Sequence, residues 1–274
     1  MLLGIDIGGT TISLGLVEGT EIVKRDRVPS FAKDASLDET ITYLCKCIGD
    51  IITPEVSSIG IGVPTLVDVE KGIVYNAANI KSWEVVPLKD IVEKRFGVPV
   101  FVNNDANCFV LGAAARLEKK YGVVVGVTLG TGTGVGIMAG DRLFCGDNCG
   151  AGEIGSVPYN GADFESFCSK KFFTNRGWKP REVAKAADEG DPDAIAFFDE
   201  FGRHLGELLS LVMYSYDPGC VVFGGGIANT FKYFKQSMMQ SLRKRYPYGH
   251  ALDRLVIEAM PQEDVAVLGA SLLS

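Results

Sequence analysis

Histidine is almost missing from this chain, no stretch of 18 consecutive apolar residues occurs, and Lys and Arg form no long run. With only His204 and His250, far apart, a histidine-rich metal centre has no ligands. The C-x3-C-x18-C spacing of Cys145, Cys149 and Cys168 lacks a second close pair, so buried thiols are expected ahead of zinc. The 7 cysteines, at 45, 47, 108, 145, 149, 168 and 220, are an odd number set mostly in helix-like or strand-like segments, and no disulfide framework is expected. The missing apolar run argues against a spanning helix, and residues 1–6 carry neither a basic region nor an apolar core of leader length. A cytoplasmic protein without membrane contact is expected. The 34 acidic residues against 27 basic ones give a formal net charge of -7, which offers no general attraction to nucleic acid. A small-molecule partner is expected instead. Glycine is plentiful, at 33 of 274 residues, and many tight backbone turns follow.

Periodicity predicts an α/β chain. Strands are expected at 2–7, 12–17 and 21–28, a meander, followed by an amphipathic helix over 36–52 that Pro54 ends. A strand at 57–63, a helix at 88–96, a strand at 98–102 and a helix at 106–118 complete the first half. From Tyr121 the pattern restarts, with strands at 123–129, 135–138 and 141–145 and a glycine-threonine turn at 130–134. This echo of residues 3–17 predicts two related lobes. After an irregular stretch over 146–161, helices are expected at 164–173, 180–189, 191–216, 231–245 and 265–273, with strands at 220–223 and 255–259.

Several short stretches carry chemistry. A hairpin turn made of Gly8, Gly9, Thr10 and Thr11 can aim backbone N–H groups at an anion, because glycine allows the backbone angles and the close approach. Asp6 repels phosphate directly but could serve it through Mg2+ or its water shell. A polar strand end and a plain turn is the competing explanation. Gly130, Thr131, Gly132 and Thr133 repeat the arrangement about 120 residues on. A dinucleotide fold would open a helix there, whereas residues 135–138 continue as strand; a Walker loop would need a following Lys-Ser or Lys-Thr. Two such turns suggest two lobes gripping one polyphosphate.

Asp105, just past a strand end, suits a general base in phosphoryl transfer, and a helix N-cap explains it equally well. Glu153, in GAGEIGS, and Glu165, in DFESFCS, could accept sugar hydroxyls, although two solvated acids are the simpler account from spacing alone. Gly224, Gly225 and Gly226, between a strand and a helix, leave bare backbone against which adenosine could rest, or merely a tight connection.

Taken in order, GIDIGGTTISLGLV, VNNDAN, LGTGTGVGI, GAGEIGS and VVFGGGI resemble the first phosphate, catalytic, second phosphate, sugar and adenosine motifs of the ROK family. Its members are mostly sugar kinases in the superfamily that includes actin and the heat-shock ATPases. GIGVPTLVDVEKGIV with NAANIKSW resembles the approach to the sugar pocket. The resemblance implies an α/β fold of two related actin-like, ribonuclease H-like lobes, 1–118 and 119–261, with an interlobe cleft and a helix over 262–274 returning to the first. It implies transfer of the ATP γ-phosphate to a hexose hydroxyl, usually O6. Asp105 becomes the base; Asp6 serves magnesium; Gly8, Gly9, Thr10, Thr11, Gly130, Thr131, Gly132 and Thr133 hold phosphates; and Gly224, Gly225 and Gly226 hold adenosine. Asn79, Asn104, Glu153 and Glu165 hold sugar hydroxyls, with Thr65 and Ser156 on the same side. A homodimer through the second lobe is implied too.

Three departures accompany the resemblance. Ser156 replaces a histidine three residues after the sugar-motif glutamate, and the cysteine-rich zinc loop that follows in most members is absent, so no structural zinc is expected. Thr65 stands for a common glycine and Ala78 for a common proline. All lie near the sugar, which points away from glucose and toward allose, mannose, fructose or an N-acetylated relative. The competing classes are a non-catalytic sugar sensor, for whose helix-turn-helix the strand at Leu2 leaves no room, and a dinucleotide oxidoreductase, which needs a helix after Gly134.

Overall fold

The computed structural model describes every residue except Ala78 and Pro261, and of Gln262 and Glu263 only the backbone. The departure at Ala78 therefore lies outside the described residues. The chain divides into two compact units, 1–120 with 143–151 and 263–274, and 121–142 with 152–262. The segment 143–151, expected in the second lobe, belongs to the first unit, a departure that spacing along the chain could not reveal.

The first unit opens with the expected meander, β1 (Leu2–Ile7), β2 (Thr11–Glu18) and β3 (Glu21–Pro29). Helix α1 (Leu37–Ile51) starts where Ser36 and Glu39 exchange hydrogen bonds in a capping box, which satisfies backbone donors that the first turn leaves open. Then come β4 (Ser58–Val63) and a small antiparallel sheet of β5 (Val67–Asp68), β6 (Ile73–Tyr75) and β7 (Val85–Pro87), which periodicity missed because its strands span two or three residues. Helix α2 (Leu88–Phe96), β8 (Val100–Asn104) and α3 (Asp105–Arg116) follow. Strand β8 ends two residues beyond the expected 98–102, because Gly62 and Val63 still pair with Asn103 and Asn104. The main sheet has the order β3-β2-β1-β4-β8, antiparallel through the meander and parallel from β1 to β4 to β8.

The second unit repeats this plan. Its sheet, β11-β10-β9-β14-β15, takes β9 (Val123–Leu129), β10 (Thr133–Ala139) and the two-residue β11 (Arg142–Leu143) from the second meander. The β10 strand removes the dinucleotide reading, since no helix opens after the glycines. The supposedly irregular stretch holds a hairpin, β12 (Pro158–Tyr159) and β13 (Ala162–Asp163), turned by Asn160 and Gly161 at φ 48° and 82°. Two positive φ values define a type I′ turn, for which Asn-Gly is the favoured pair. The expected helix over 164–173 is two helices, α4 (Phe164–Cys168) and α5 (Lys170–Thr174), broken at extended Ser169, whose hydroxyl caps α5. Helices α6 (Pro180–Asp188) and α7 (Pro192–Tyr216), strand β14 (Cys220–Gly224), helices α8 (Phe231–Arg245) and α9 (Gly249–Leu252) and strand β15 (Val256–Ala259) complete the unit, with β9, β14 and β15 parallel.

The last helix, α10 (Gln262–Ser271), packs on the first unit. A methyl group at Gly60 would overlap the carbonyl of Ala270, and Gly4 and Gly112 meet Val267 and Val265 in the same way. Bare backbone is therefore required where α10 crosses β1, β4 and α3. Gly60→Ala should destabilise the protein by about 3 kcal/mol or more, the upper range for overpacking, read as a lowered urea midpoint. Gly49→Ala, on the exposed face of α1 with open space around it, should instead stabilise it slightly, by about 0.5–1 kcal/mol.

Candidate active site

In the first unit the candidate residues gather at the C-terminal ends of parallel strands. Asp6 pairs with Gly62, and Gly62 pairs in turn with Asn103, so the three share one level of the sheet. A methyl at Gly62 would come within 3.6 Å of the Asp105 Cα and 3.1 Å of the Cys108 sulfur, so the missing side chain lets α3 start close against β4. The Cys108 thiol reports both carboxylates: burial pushes it well up, and the charges of Asp6 and Asp105 push it further.

The helix cap expected at Asp105 is made by Asn104 instead. The Asn104 Oδ1 accepts from the Ala106 and Asn107 backbone N–H groups at 2.9 and 3.3 Å, while its Nδ2 donates to the Thr65 carbonyl at 3.2 Å. Asp105 is thus the first helical residue, and its Oδ1 accepts from the Ala106 N–H at 2.8 Å. Thr65 donates its hydroxyl to the Tyr75 carbonyl at 2.6 Å, tying the loop after β4 to the small sheet.

The turn after β1 closes through Gly8 N–H to the Thr11 carbonyl at 2.9 Å, and Ser30 clamps it by donating its hydroxyl to the Gly8 carbonyl at 2.8 Å. Neither Gly8 nor Gly9 has a positive φ, nor has Gly130 or Gly132. The expectation that these glycines supply unusual backbone angles is therefore corrected. What Gly9 and Gly132 permit is approach: a methyl at Gly9 would lie 3.4 Å from the Asn79 Nδ2, and one at Gly132 would overlap the Glu165 carboxylate. Asn79 itself is exposed at φ 68°, in the left-handed region.

The second unit repeats the turn at the same topological place. Gly4 faces Gly15 across β1 and β2 as Gly126 faces Gly136 across β9 and β10, so Gly8 corresponds to Gly130 and Asp6 to Thr128. Only the first turn has a carboxylate two residues before it. Gly225, at φ 91°, stacks its bare backbone on Leu129, and Ile227 N–H donates to the Leu129 carbonyl at 3.1 Å. Gly224, Gly225 and Gly226 therefore end β14 beside the turn over 130–133.

The single turn of 3-10 helix Glu153–Ser156 lies on β10, where methyl groups at Gly152 and Gly155 would strike the carbonyls of Val135 and Thr133. Glu153 keeps surface exposure, yet the protein packed around it raises its pKa above the ordinary 4.5, and the negative charge of Glu165 raises it further. Ser156 is exposed at the end of that turn. Glu165 stands within the turn's reach: its Oε2 accepts from the Thr133 N–H at 3.2 Å and its Oε1 pairs with the Lys171 Nζ at 2.6 Å.

Sequence reasoning missed two groups. Lys171 carried no motif signal, and only the break at Ser169 brings it to Glu165. The other is a polar cluster behind Asn104. Asn103 Oδ1 accepts from the Asn104 N–H at 2.8 Å, the Asn107 Nδ2 at 3.0 Å and the Cys149 thiol at 3.3 Å, and the Asn107 Nδ2 also lies 3.5 Å from the Cys145 sulfur. The string NNDAN gave no periodic signal for it, since Asn103 still lies in β8 while Asn107 lies in α3, and only the turn at Asn104 brings the two together.

Comparison with known proteins follows from this arrangement. The ROK family model matches residues 2–172 and 161–274, and the chain belongs to the ROK family. A glucokinase from Thermotoga maritima is 32% identical, with 83% of this chain and 82% of that one covered. An N-acetyl-D-glucosamine kinase from Escherichia coli is 30% identical over 84% of this chain and 85% of that one. The crystal structure of a ROK family glucokinase from Streptomyces griseus, in complex with glucose and AMPPNP, superposes with TM-score 0.81 at 26% identity, covering 98% and 97% of the two chains. The two sheets are thus those of the actin-like ATPase fold of ROK sugar kinases. Among the described residues no group of three or more His, Cys, Asp or Glu side chains could hold a metal, and no helix is long and apolar enough to cross a membrane.

The cysteines give a chemical readout of the cluster. The neighbouring Cys149 thiol holds the Cys145 thiol down at about 7, with Asn103 assisting, whereas Cys145 and burial push Cys149 up. Burial raises Cys45, the other partly exposed thiol. A lowered pKa means thiolate at lower pH, so iodoacetamide at pH 7 should alkylate Cys145 well before Cys45, and Cys149→Ala should slow that reaction. Peptide mass mapping of the labelled protein reads the order.

Proposed function

We propose that the chain is an ATP-dependent sugar kinase that transfers the γ-phosphate of MgATP to a hexose hydroxyl, O6, with Asp105 as general base. The observation that carries this reading is the repeated glycine-threonine turn, found after the central strand of two sheets wound alike, with Asp6 and Asp105 at strand ends of the first sheet. The glucokinase and N-acetyl-D-glucosamine kinase relatives support the substrate class.

In the proposed step the Asp105 carboxylate accepts the proton of the attacking hydroxyl as its oxygen bonds to the γ-phosphorus, the bond to the bridging oxygen breaks, and ADP leaves. Asp6 holds the magnesium of MgATP through its water shell. The turns over 8–11 and 130–133 give N–H groups to the phosphates, and Gly224, Gly225 and Gly226 border the adenosine. Thr65, Asn79, Asn104, Glu153, Ser156 and Glu165 surround the sugar. Ser156 is neutral and shorter than histidine, which directs the choice toward allose, mannose, fructose or an N-acetylated hexose. The same reading makes the protein a cytoplasmic homodimer joined through its second unit.

Purified protein with ATP and Mg2+ should release ADP with at least one member of a hexose panel. Bound nucleotide with no sugar-dependent ADP release from any member would overturn the kinase. Asp105→Asn should keep nucleotide affinity and lower kcat by about 10²- to 10⁴-fold, the ordinary contribution of a positioned base. Glu153 gives a pH test. Its raised pKa means that the hydroxyl-accepting carboxylate is lost as pH falls through a value above 4.5, so the hexose KM should climb on acidification before an ordinary carboxylate would titrate. Glu153→Gln should raise the KM by about 10-fold or more and flatten that limb.

A further inference from the structure

Glu165 holds a place that a nucleotide phosphate would need. Its Oε2 accepts from the backbone N–H of Thr133, in the second glycine-threonine turn, at 3.2 Å. Gly132 has no side chain exactly where that carboxylate lies, since a methyl there would overlap Oε2. The neighbouring Thr133 hydroxyl is an orphan: Thr133 is 7% exposed and its Oγ1 has no hydrogen-bond partner among the described residues. A buried donor and acceptor left unmade costs free energy, and it marks a position completed by something else. The cation at the site is Lys171, whose ammonium is 2.6 Å from the Glu165 Oε1 with its side chain 49% exposed. The pairing raises the Lys171 pKa, so it stays charged throughout the neutral range. Ser169 is what brings it there, because α5 restarts at Lys170, whose N–H donates to the Gly130 carbonyl at 2.9 Å.

We propose that Glu165 plugs the second phosphate turn in the sugar-free protein, and that ATP displaces it, taking over both the Thr133 N–H and the Lys171 ammonium. A carboxylate and a phosphate cannot share one N–H, because two anions at that distance repel. The displaced Glu165 is then free to accept a sugar hydroxyl, the role assigned to it above. Lys171 passes from one anion to the other and binds the terminal phosphates. Sugar and ATP therefore help each other: a hydroxyl that draws Glu165 off the turn uncovers the phosphate site, and linkage requires ATP to tighten sugar binding by the same factor. The inference rests on the proposed kinase reading for the sugar half, while the plug itself needs only that the turn binds nucleotide phosphate.

Direct titration separates the two. In the full-length chain without sugar, Glu165→Ala should bind ATP about 10-fold tighter than wild type, and Lys171→Met should bind it about 10-fold weaker, the scale of one charge-assisted hydrogen bond. Adenosine affinity should stay unchanged in both, which a general loss of structure would not allow. Saturating hexose should tighten ATP binding to the wild type and leave Glu165→Ala unaffected; Glu165→Gln, which keeps the shape and loses the charge, should fall between. Equal or weaker sugar-free ATP binding by Glu165→Ala, or an ATP affinity for Lys171→Met within 2-fold of wild type, would overturn the proposal. Loss of turnover with every hexose, beside intact shifts in ATP affinity, would remove the kinase reading and leave the plug standing.

Discussion

Where two backbone segments must lie closer than a side chain permits, only glycine serves, and each unit places its chemistry by such contacts. In the first, Gly62 lets α3 start against β4, so that Asp105 stands beside the strand that ends near Asp6. In the second, Gly152 and Gly155 lay the Glu153 turn on β10, and Gly225 lays the end of β14 on Leu129. The contacts of Gly152, Gly155 and Gly225 are short and backbone to backbone, so they are stiff in a way that side-chain packing is not, whereas Gly62 faces the Cys108 side chain. Residues mounted on them keep their spacing when a ligand arrives.

Much of the plan was legible because it lies in patterns of period 2 and 3.6. The two meanders, the long helices and the repeat from Tyr121 all announce themselves by alternation or by apolar faces, and the sheets share one strand order as the echo implied. What failed was short. Strands β5, β6 and β7 have two or three residues each, too few for any period, and the Asn160-Gly161 hairpin joins strands of two residues each, too short to show beside its Asn-Gly turn signal. The break at Ser169 was hidden for another reason. Serine is tolerated inside helices, and only its hydroxyl bond to the Lys171 N–H and the pull of Lys170 toward Gly130 select the extended form.

At the site, residue types were easier to find than their duties. The carboxylates at 6 and 153 stand out against their glycine-rich surroundings, but spacing cannot say that Asn104 and not Asp105 caps α3. That choice is made by the Asn104 side chain, which accepts from the Ala106 and Asn107 N–H groups at the end of β8 and so opens α3 at Asp105. Relieved of capping, Asp105 stands at the first helical position with its Oδ1 accepting from the Ala106 N–H.

The remaining constraint is electrostatic. If the two glycine-threonine turns hold phosphates as proposed, a protein of net charge -7 with acidic side chains near them has to keep a polyanion from being repelled. Backbone N–H groups answer part of it, because they carry partial positive charge without mobile side chains and cannot be neutralised by pH. They are weak singly. The two turns also differ where the repeat would have them alike, with Asp6 at the level of Thr128. An acid at the first position suits a hydrated cation and an uncharged hydroxyl at the second suits a phosphate oxygen, so under the proposed function the asymmetry would separate metal from phosphate within a duplicated frame. Glu165 then stands out as the acid on the wrong side of that division, and its ion pair with Lys171 is what makes its presence there tolerable.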